Sequence, residues 1–426
     1  MKGWKLLALM LCGIEPIAAS WGSKVIDDKY RPKTGWIDAF HRTADVTVDA
    51  NASIQAAIER CDEVVGKNRY CTVAIRGGLL GRPVEIFRSR TRLTAADSHP
   101  IRARKSGTMI YIGDGTRQVL IEGLKIEGRD VGNGEIYGIV VEGKKINKIV
   151  IRENEIYRFS TGRGDAHAIA VYGTGAGNSN AIRNVLISGN TIHDMRTGSS
   201  ESIAINGNVL RWQISDNDLY DLNNIAIDLI GGEGTSPTRK DDEGRVLPGR
   251  TDAARYGFVE DNFVENLHTD DNPAYGKRES WAAAIYIDGG HHILVKDNVV
   301  QNAAWGYEIG AENCVKTRHI VMEGNRAEAS YFGDLVVGGY QHTGYLADRS
   351  IVCDPEASDD ADEGHGYVRN ISIYENDFLS EETKEDRITI QYRTTHAIIE
   401  QEGVTPVNDG GNGSARGDQN AIRTHR

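Results

Sequence analysis

Seven asparagines in this chain stand at the same point of a recurring phrase. The units "VLIEGLKIEG", "KIVIRENEIYRF", "NVLISGNTIHDM", "WQISDNDLYDL", "GFVEDNFVENL", "ILVKDNVVQNA", "IVMEGNRAEAS" and "ISIYENDFLS" follow one another from about residue 118. Each reads as a short alternating apolar strand, a turn built on Asn or Gly, and a second strand. The turn asparagines are Asn154, Asn190, Asn217, Asn262, Asn298, Asn325 and Asn376, at spacings of 36, 27, 45, 36, 27 and 51 residues. The shortest spacing is what one coil of three strands needs, and the longer ones are that coil with loops inserted. One coil cannot bury its own apolar face, whereas stacked coils bury a continuous column. Asparagine suits such a bend because it tolerates left-handed backbone and can hydrogen-bond to the next coil's turn. The pattern predicts an all-β fold, a right-handed parallel β-helix.

A solenoid end needs a cap, since otherwise apolar core and open strand edges face water. "TVDANASIQAAIERC" followed by "YCTVAIRGG" supplies an amphipathic helix and then a strand. Ahead of it, "MKGWKLLALMLCGIEPIAAS" has two lysines, a short apolar run and small residues, the form of a secretory signal peptide over residues 1–20. The helical domain is then expected over 21–400, with a flexible, glycine-rich tail at 401–426. Export to a secreted or periplasmic location would permit two disulfides among the remaining cysteines, Cys61 with Cys71 and Cys314 with Cys353. No segment is apolar enough to insert in a membrane. A formal charge of −12 makes nucleic acid a poor partner.

The helix-then-strand opening and the GN/DN ladder resemble the pectate-lyase-like β-helix superfamily over roughly residues 45 to 400. More narrowly, the segments "AIDLIGG" (226–232), "GYEIGAEN" (306–313) and "VVGGY" (336–340) are similar to those of bacterial β-helix repeat proteins acting on polysaccharides. The resemblance implies the fold. It leaves the reaction open, since the superfamily includes lyases, hydrolases, transferases, esterases, epimerases and binding proteins.

A further set of strands, "HAIAVYG", "ESIAING", "AIDLIGG", "AIYIDGG", "GYEIGAE" and "GDLVVGG", mostly ends in glycine. Alignment on those glycines puts Ala170, Ala204, Asp228, Tyr286, Glu308 and Asp334 in one outward column, with coils about 4.8 Å apart. Like charges stacked at that distance repel unless a cation, a shared proton or a substrate compensates. A solvated face would mix in lysines, serines and threonines; here the first two positions are alanines, leaving room for a sugar ring. Glu308 with Asp334 would suit the short carboxylate separation of a retaining glycosidase, and Asp228 with Glu308 the long limit of an inverting one. Repulsion would raise one carboxyl pKa and so yield the neutral acid. Such hydrolysis needs no cofactor. β-Elimination on a uronate would instead need a base and a neutralising cation, for which Ca2+ on Asp228, Asp288 and Glu308 is a candidate.

Three insertions flank the column, at 232–256, 268–281 and 340–367. Arg239, Lys240, Lys277 and Arg278 on the first two are expected to hold an anionic sugar. Tyr275, Trp281 and Trp305 are expected as stacking platforms, and Tyr286, Asp288, His167 and Glu201 as further substrate contacts. The expectation is a monomeric enzyme cleaving an extended polysaccharide, by hydrolysis or by elimination. A non-catalytic carbohydrate-binding β-helix is the third reading.

Overall fold

The computed structural model describes residues 26–240, 246–247, 249–270, 272–275, 282–313, 315–338, 366–380, 388–390, 394–400, 407–408 and 422–424. Every coil lays down a strand in each of three parallel sheets, and successive coils pair in register to form a right-handed parallel β-helix. The second sheet has ten strands among the described residues. The first and third join through the strand Ile203–Ser215, which runs from one into the other around a corner.

The inward positions are branched and apolar because identical shapes pack best on themselves at coil spacing. Ile126, Ile156, Ile192, Leu219, Val264 and Val300 form one such column on the second sheet. Ile139, Ile169, Ile203, Ile227, Ile285, Tyr307 and Leu335 form another on the third. Burial of each such side chain is worth roughly 1.5–3 kcal/mol. One coil departs from the rule. Trp212 fills the first-sheet interior, and its neighbour in register is Gly257, where a Cβ would fall 2.1 Å from the indole.

The turn between first and second sheets holds the asparagine ladder. The Nδ2 of Asn154, Asn190, Asn217, Asn262, Asn298 and Asn325 each donates to Oδ1 of the next asparagine at 2.9 Å. The backbone N–H of each donates to the same oxygen. Left-handed backbone, however, belongs to the residue before each asparagine: Glu153, Gly189, Asp216, Asp261, Asp297, Gly324 and Glu375 all have φ between 53° and 67°. In the GN/DN/EN pairs the first residue makes the bend and the asparagine binds the coils together.

The cap is helix α1 (Ile54–Val64), started by Ser53, whose hydroxyl accepts from the Ala56 N–H. Its Cys61 is joined to Cys71, which opens the strand Cys71–Ile75, as expected; Cys314 and Cys353 lie outside the described residues. Past residue 400, short strands at Val407–Asn408 and Ile422–Thr424 pair onto the last coils, so the stack runs into the region expected to be a flexible tail.

An N-terminal arm crosses the outside of the first sheet. Ile26 packs on Phe258, Leu294 and Val321, and Phe40 packs on Leu120 and Val150 at the other end. Between them, the Arg31 guanidinium lies 4.1 Å over the Phe258 ring and donates to Glu260. No helix among the described residues is long and apolar enough to cross a membrane.

Candidate functional site

The third sheet carries the column of interest on strands β1 (Ala166–Gly173), β2 (Ile203–Ser215), β3 (Ile227–Ile230), β4 (Ala283–Asp288), β5 (Trp305–Gly310) and β6 (Gly333–Val337). Its outward positions in register are Ala170, Ala204, Asp228, Tyr286, Glu308 and Val336. Alternation explains the central strand: Tyr307 and Ile309 point into the core, and Glu308 between them points out. Tyr307 is kept inside by donating its hydroxyl to the Asn298 and Arg326 carbonyls.

Asp334 does not belong to this column. Val336 stands beside Glu308, and Asp334 lies two residues earlier, fully buried, where its carboxylate accepts from the Ser380 N–H at 3.1 Å and from the Ser380 hydroxyl. In Asp228–Gly231 and Tyr286–Gly289 the outward residue lies three positions before a terminal glycine; counting three back from Gly339 selects Val336. Its glycine-flanked start misdirected the alignment.

The alanine floor is not open either. Ala170 and Ala204 are completely buried. The turn after β3 folds back across β2: Thr235 donates to the Asn206 side chain at 2.7 Å, and Asn206 Nδ2 donates to Glu233 at 2.6 Å. Trp305 is also buried, packed with Phe332, Ala283, Ala304, Val336 and Tyr286 as a wall beside the column, so its ring is not an exposed platform. Tyr275 remains exposed at 37%, its hydroxyl accepting from Asn224. Arg239 and Lys240 lie on a short antiparallel hairpin with Val246–Leu247. Lys277, Arg278 and Trp281 are outside the described residues.

What the register brings together is a concentration of acids around Tyr286. Asp228 and Glu308 flank it on adjacent coils. Asp288, two residues along β4, accepts from the Glu312 N–H at 2.6 Å and from Asn313 Nδ2 at 3.4 Å. Tyr286 donates its hydroxyl to Glu312 at 3.3 Å. Asp228 is 4% exposed, and its Oδ1 has no hydrogen-bond partner. Burial is the largest influence on all of these carboxyls and pushes each upward. Asp228 is raised further by Glu201, Asp288 and Glu308 by Glu312, and Glu201 reaches about 8 with the help of Glu233. Burial also raises Glu312, against the lowering hydrogen bond from Tyr286.

At the β1 end, His167 is buried, and burial lowers its pKa to about 4 despite a raising hydrogen bond to the Glu201 carbonyl. That carbonyl, 2.6 Å from Nδ1, can only accept, so Nδ1 carries the proton and Nε2 is the acceptor. Tyr172 donates its hydroxyl to Nε2 at 2.9 Å, and Tyr137 stacks on the imidazole at 5.4 Å. The result is a neutral histidine of fixed tautomer aligned on a tyrosine at the edge of the acid cluster.

Glu312, Glu233 and Tyr172 were not singled out from sequence. The two glutamates sit in turns just beyond strand ends, where alternation carries no information; Tyr172 lies two residues beyond Ala170, on the same outward face. Among the described residues, no group of three or more His, Cys, Asp or Glu side chains is arranged to hold a metal ion, so Asp228, Asp288 and Glu308 do not converge on one point. A separate pocket beneath the N-terminal arm, lined by Asp28, Arg31, Glu260 and Lys296 among others, contains none of these acids.

No family model matches the chain. A relative, the uncharacterized protein YwoF of Bacillus subtilis (strain 168), is 32% identical over 225 residues, which is 52% of this chain and 44% of that protein. The match thus spans less than half of the relative's length. Among solved structures, the A-module of the Azotobacter vinelandii mannuronan C-5 epimerase AlgE6 is similar with a TM-score of 0.49 and 10% identity, covering 83% of this chain and 90% of that one. The exopolygalacturonase of Thermotoga maritima gives 0.48 and 12%, covering 89% of both. An alginate lyase from Paenibacillus sp. str. FPU-7 gives 0.44 and 13%, covering 82% of this chain and 99% of that one. The assignment of the fold rests on the coil register itself.

Proposed function

We propose that this β-helix cleaves an extended polysaccharide by hydrolysis, with Glu308 and Asp228, on either side of Tyr286, as the carboxyl pair that shares the acid and base roles. The observation that carries the reading is their shared column. Two coil steps separate their backbones by about 9.6 Å, near the upper end of the roughly 6.5–9.5 Å used by inverting glycosidases. Glu308 is half-buried, and burial and Glu312 push its carboxyl upward, toward the state a proton donor to a leaving oxygen requires. Tyr286 separates the two carboxyls and would orient the ring between them.

A second reading is β-elimination on a uronate, favoured by the neutral His167 aligned on Tyr172, which would supply a base next to the cleft. That reaction would also need a neutralising cation such as calcium, for which Asp228, Asp288 and Glu308 do not form a site among the described residues. The purified protein, presented with a polysaccharide panel with and without EDTA, distinguishes these outcomes. New reducing ends without absorbance near 235 nm, lost in Glu308→Gln, are expected. Absorbance rising with the reducing ends would replace hydrolysis by elimination. Glycan binding without any cleavage would make the protein a carbohydrate-binding β-helix.

A further inference from the structure

We infer that the glycan taken by this cleft carries free, protonated amino groups: an amino sugar polymer that is not fully N-acetylated. The inference rests on the reading of the column as a carbohydrate site and names its substrate class.

Hydrolysis needs two carboxyl groups, and besides Glu233 the column and its flanking turns hold five that act on one another: Glu201, Asp228, Asp288, Glu308 and Glu312. Elsewhere on the solenoid, several outward acids are matched by cations on neighbouring coils. Glu122 meets Arg92 and Arg152, Glu127 meets Arg102 and Arg158, Glu260 meets Arg31, and Glu323 meets Lys296. None of the five cleft acids is bonded to a lysine or arginine among the described residues. Among the described residues His167 has its Nδ1 3.9 Å from Glu201 Oε2, but that N–H donates to the Glu201 carbonyl. Hydrogen-bond donors within the cleft are spent on Glu312 and Asp288. Asp228 keeps a buried oxygen with no hydrogen-bond partner, which a donor on the ligand could satisfy.

Among the described residues these five acids thus lack the cations that match Glu122, Glu127, Glu260 and Glu323, and in this inference the ligand supplies them. A polyuronate would add a negative charge with every sugar to a pocket that is already acidic. A neutral or fully acetylated glycan would bring hydroxyls and amides but no countercharge. A protonated primary amine brings both the charge and three N–H donors, and its bonds to carboxylate are of the stronger, charge-assisted kind. The acids are spread over successive coils about 4.8 Å apart rather than drawn round one point. That spread fits ammonium groups on successive sugars better than a single metal ion.

The test is isothermal titration calorimetry of the full chain with glucosamine and galactosamine oligomers, the same oligomers after chemical N-acetylation, and oligouronates, alongside a reducing-end assay. Free-amine oligomers should bind, and acetylation should weaken binding about tenfold or more. Glu201→Gln and Glu312→Gln, each checked by circular dichroism for an intact fold, should weaken it by a similar factor and so narrow the gap between free-amine and acetylated oligomers. Equal or tighter binding of acetylated oligomers or oligouronates overturns the inference, as does amine-independent binding abolished by EDTA, or the absence of amine binding. Cleavage of a neutral or uronate glycan would overturn this inference and leave hydrolysis standing. Amine-dependent binding without new reducing ends would leave this inference standing and remove hydrolysis.

Discussion

The asparagine ladder and the acid column are both stacks of polar side chains repeated at the same coil spacing, yet one is closed and the other open. An amide carries donor and acceptor together, so each asparagine satisfies the next, and the ladder needs nothing beyond itself. An ionised carboxylate only accepts. Stacking it along the helix cannot satisfy it, and each added coil makes the demand for an outside proton or cation greater. The ladder is thus where the molecule holds itself together, and the column is where it remains chemically incomplete. Buried polar groups are tolerated in both places, for opposite reasons.

The largest expected effect that would break this comparison is on turnover. Glu308→Gln keeps the shape and removes the acid, so the rate should fall by about 10²–10⁴, while the thermal midpoint stays level or rises. A fall in stability with unchanged turnover would show that the column is scaffold after all. Next comes Asn262→Asp, which imports the column's problem into the ladder. The carboxylate still accepts from Asn217 but loses the donor to Asn298 and to the Ile214 carbonyl. A loss of about 3–5 kcal/mol is expected from an uncompensated buried charge, measurable as a lower urea midpoint.

A smaller effect is the pH dependence of stability. The Glu201 carboxyl is raised to about 8 in the folded chain, above its ordinary value near 4.3 when unfolded. The folded state holds that proton more tightly, so the stabilisation is complete below about pH 4.3 and is lost as pH rises through about 8. The thermal midpoint should fall from pH 5 to pH 9, and Glu201→Gln should flatten that fall. A wild-type profile already flat across this range would contradict the burial argument. The smallest effect on activity belongs to Asp334→Asn, which should leave turnover within about threefold. It should cost about 1–2 kcal/mol in denaturation, because it weakens a charge-assisted contact to Ser380.

These two regions also differ in how readily the sequence discloses them. The ladder was legible because its asparagines recur next to a bend-forming Gly, Asp or Glu, although the bend itself falls on that preceding residue. Asp228, Tyr286 and Glu308 were legible because alternation within a strand fixes which side chains point outward. Asp334 was misplaced by two residues because glycines at both ends of its strand offered two ways to count, and pairing in the stack obeys only one. Glu312 and Glu233 lie in turns, which no periodicity governs. The burial of Trp305 depends on Phe332, 27 residues on, and the covering of Ala204 on a fold-back of the next turn. Such coverings are set by how insertions lie on the scaffold, and this is decided only after the coils have stacked.

The N-terminal arm adds a constraint of timing. A solenoid can grow coil by coil, since each turn asks only for the one beside it. Arg31, however, finds its partner Glu260 at a separation of 229 residues, and Ile26 rests on coils built from Phe258 to Val321. The segment made before all of those coils is consequently among the last to reach its seat. Its docking registers that the coils beneath it are complete, a long-range check on an otherwise nearest-neighbour assembly.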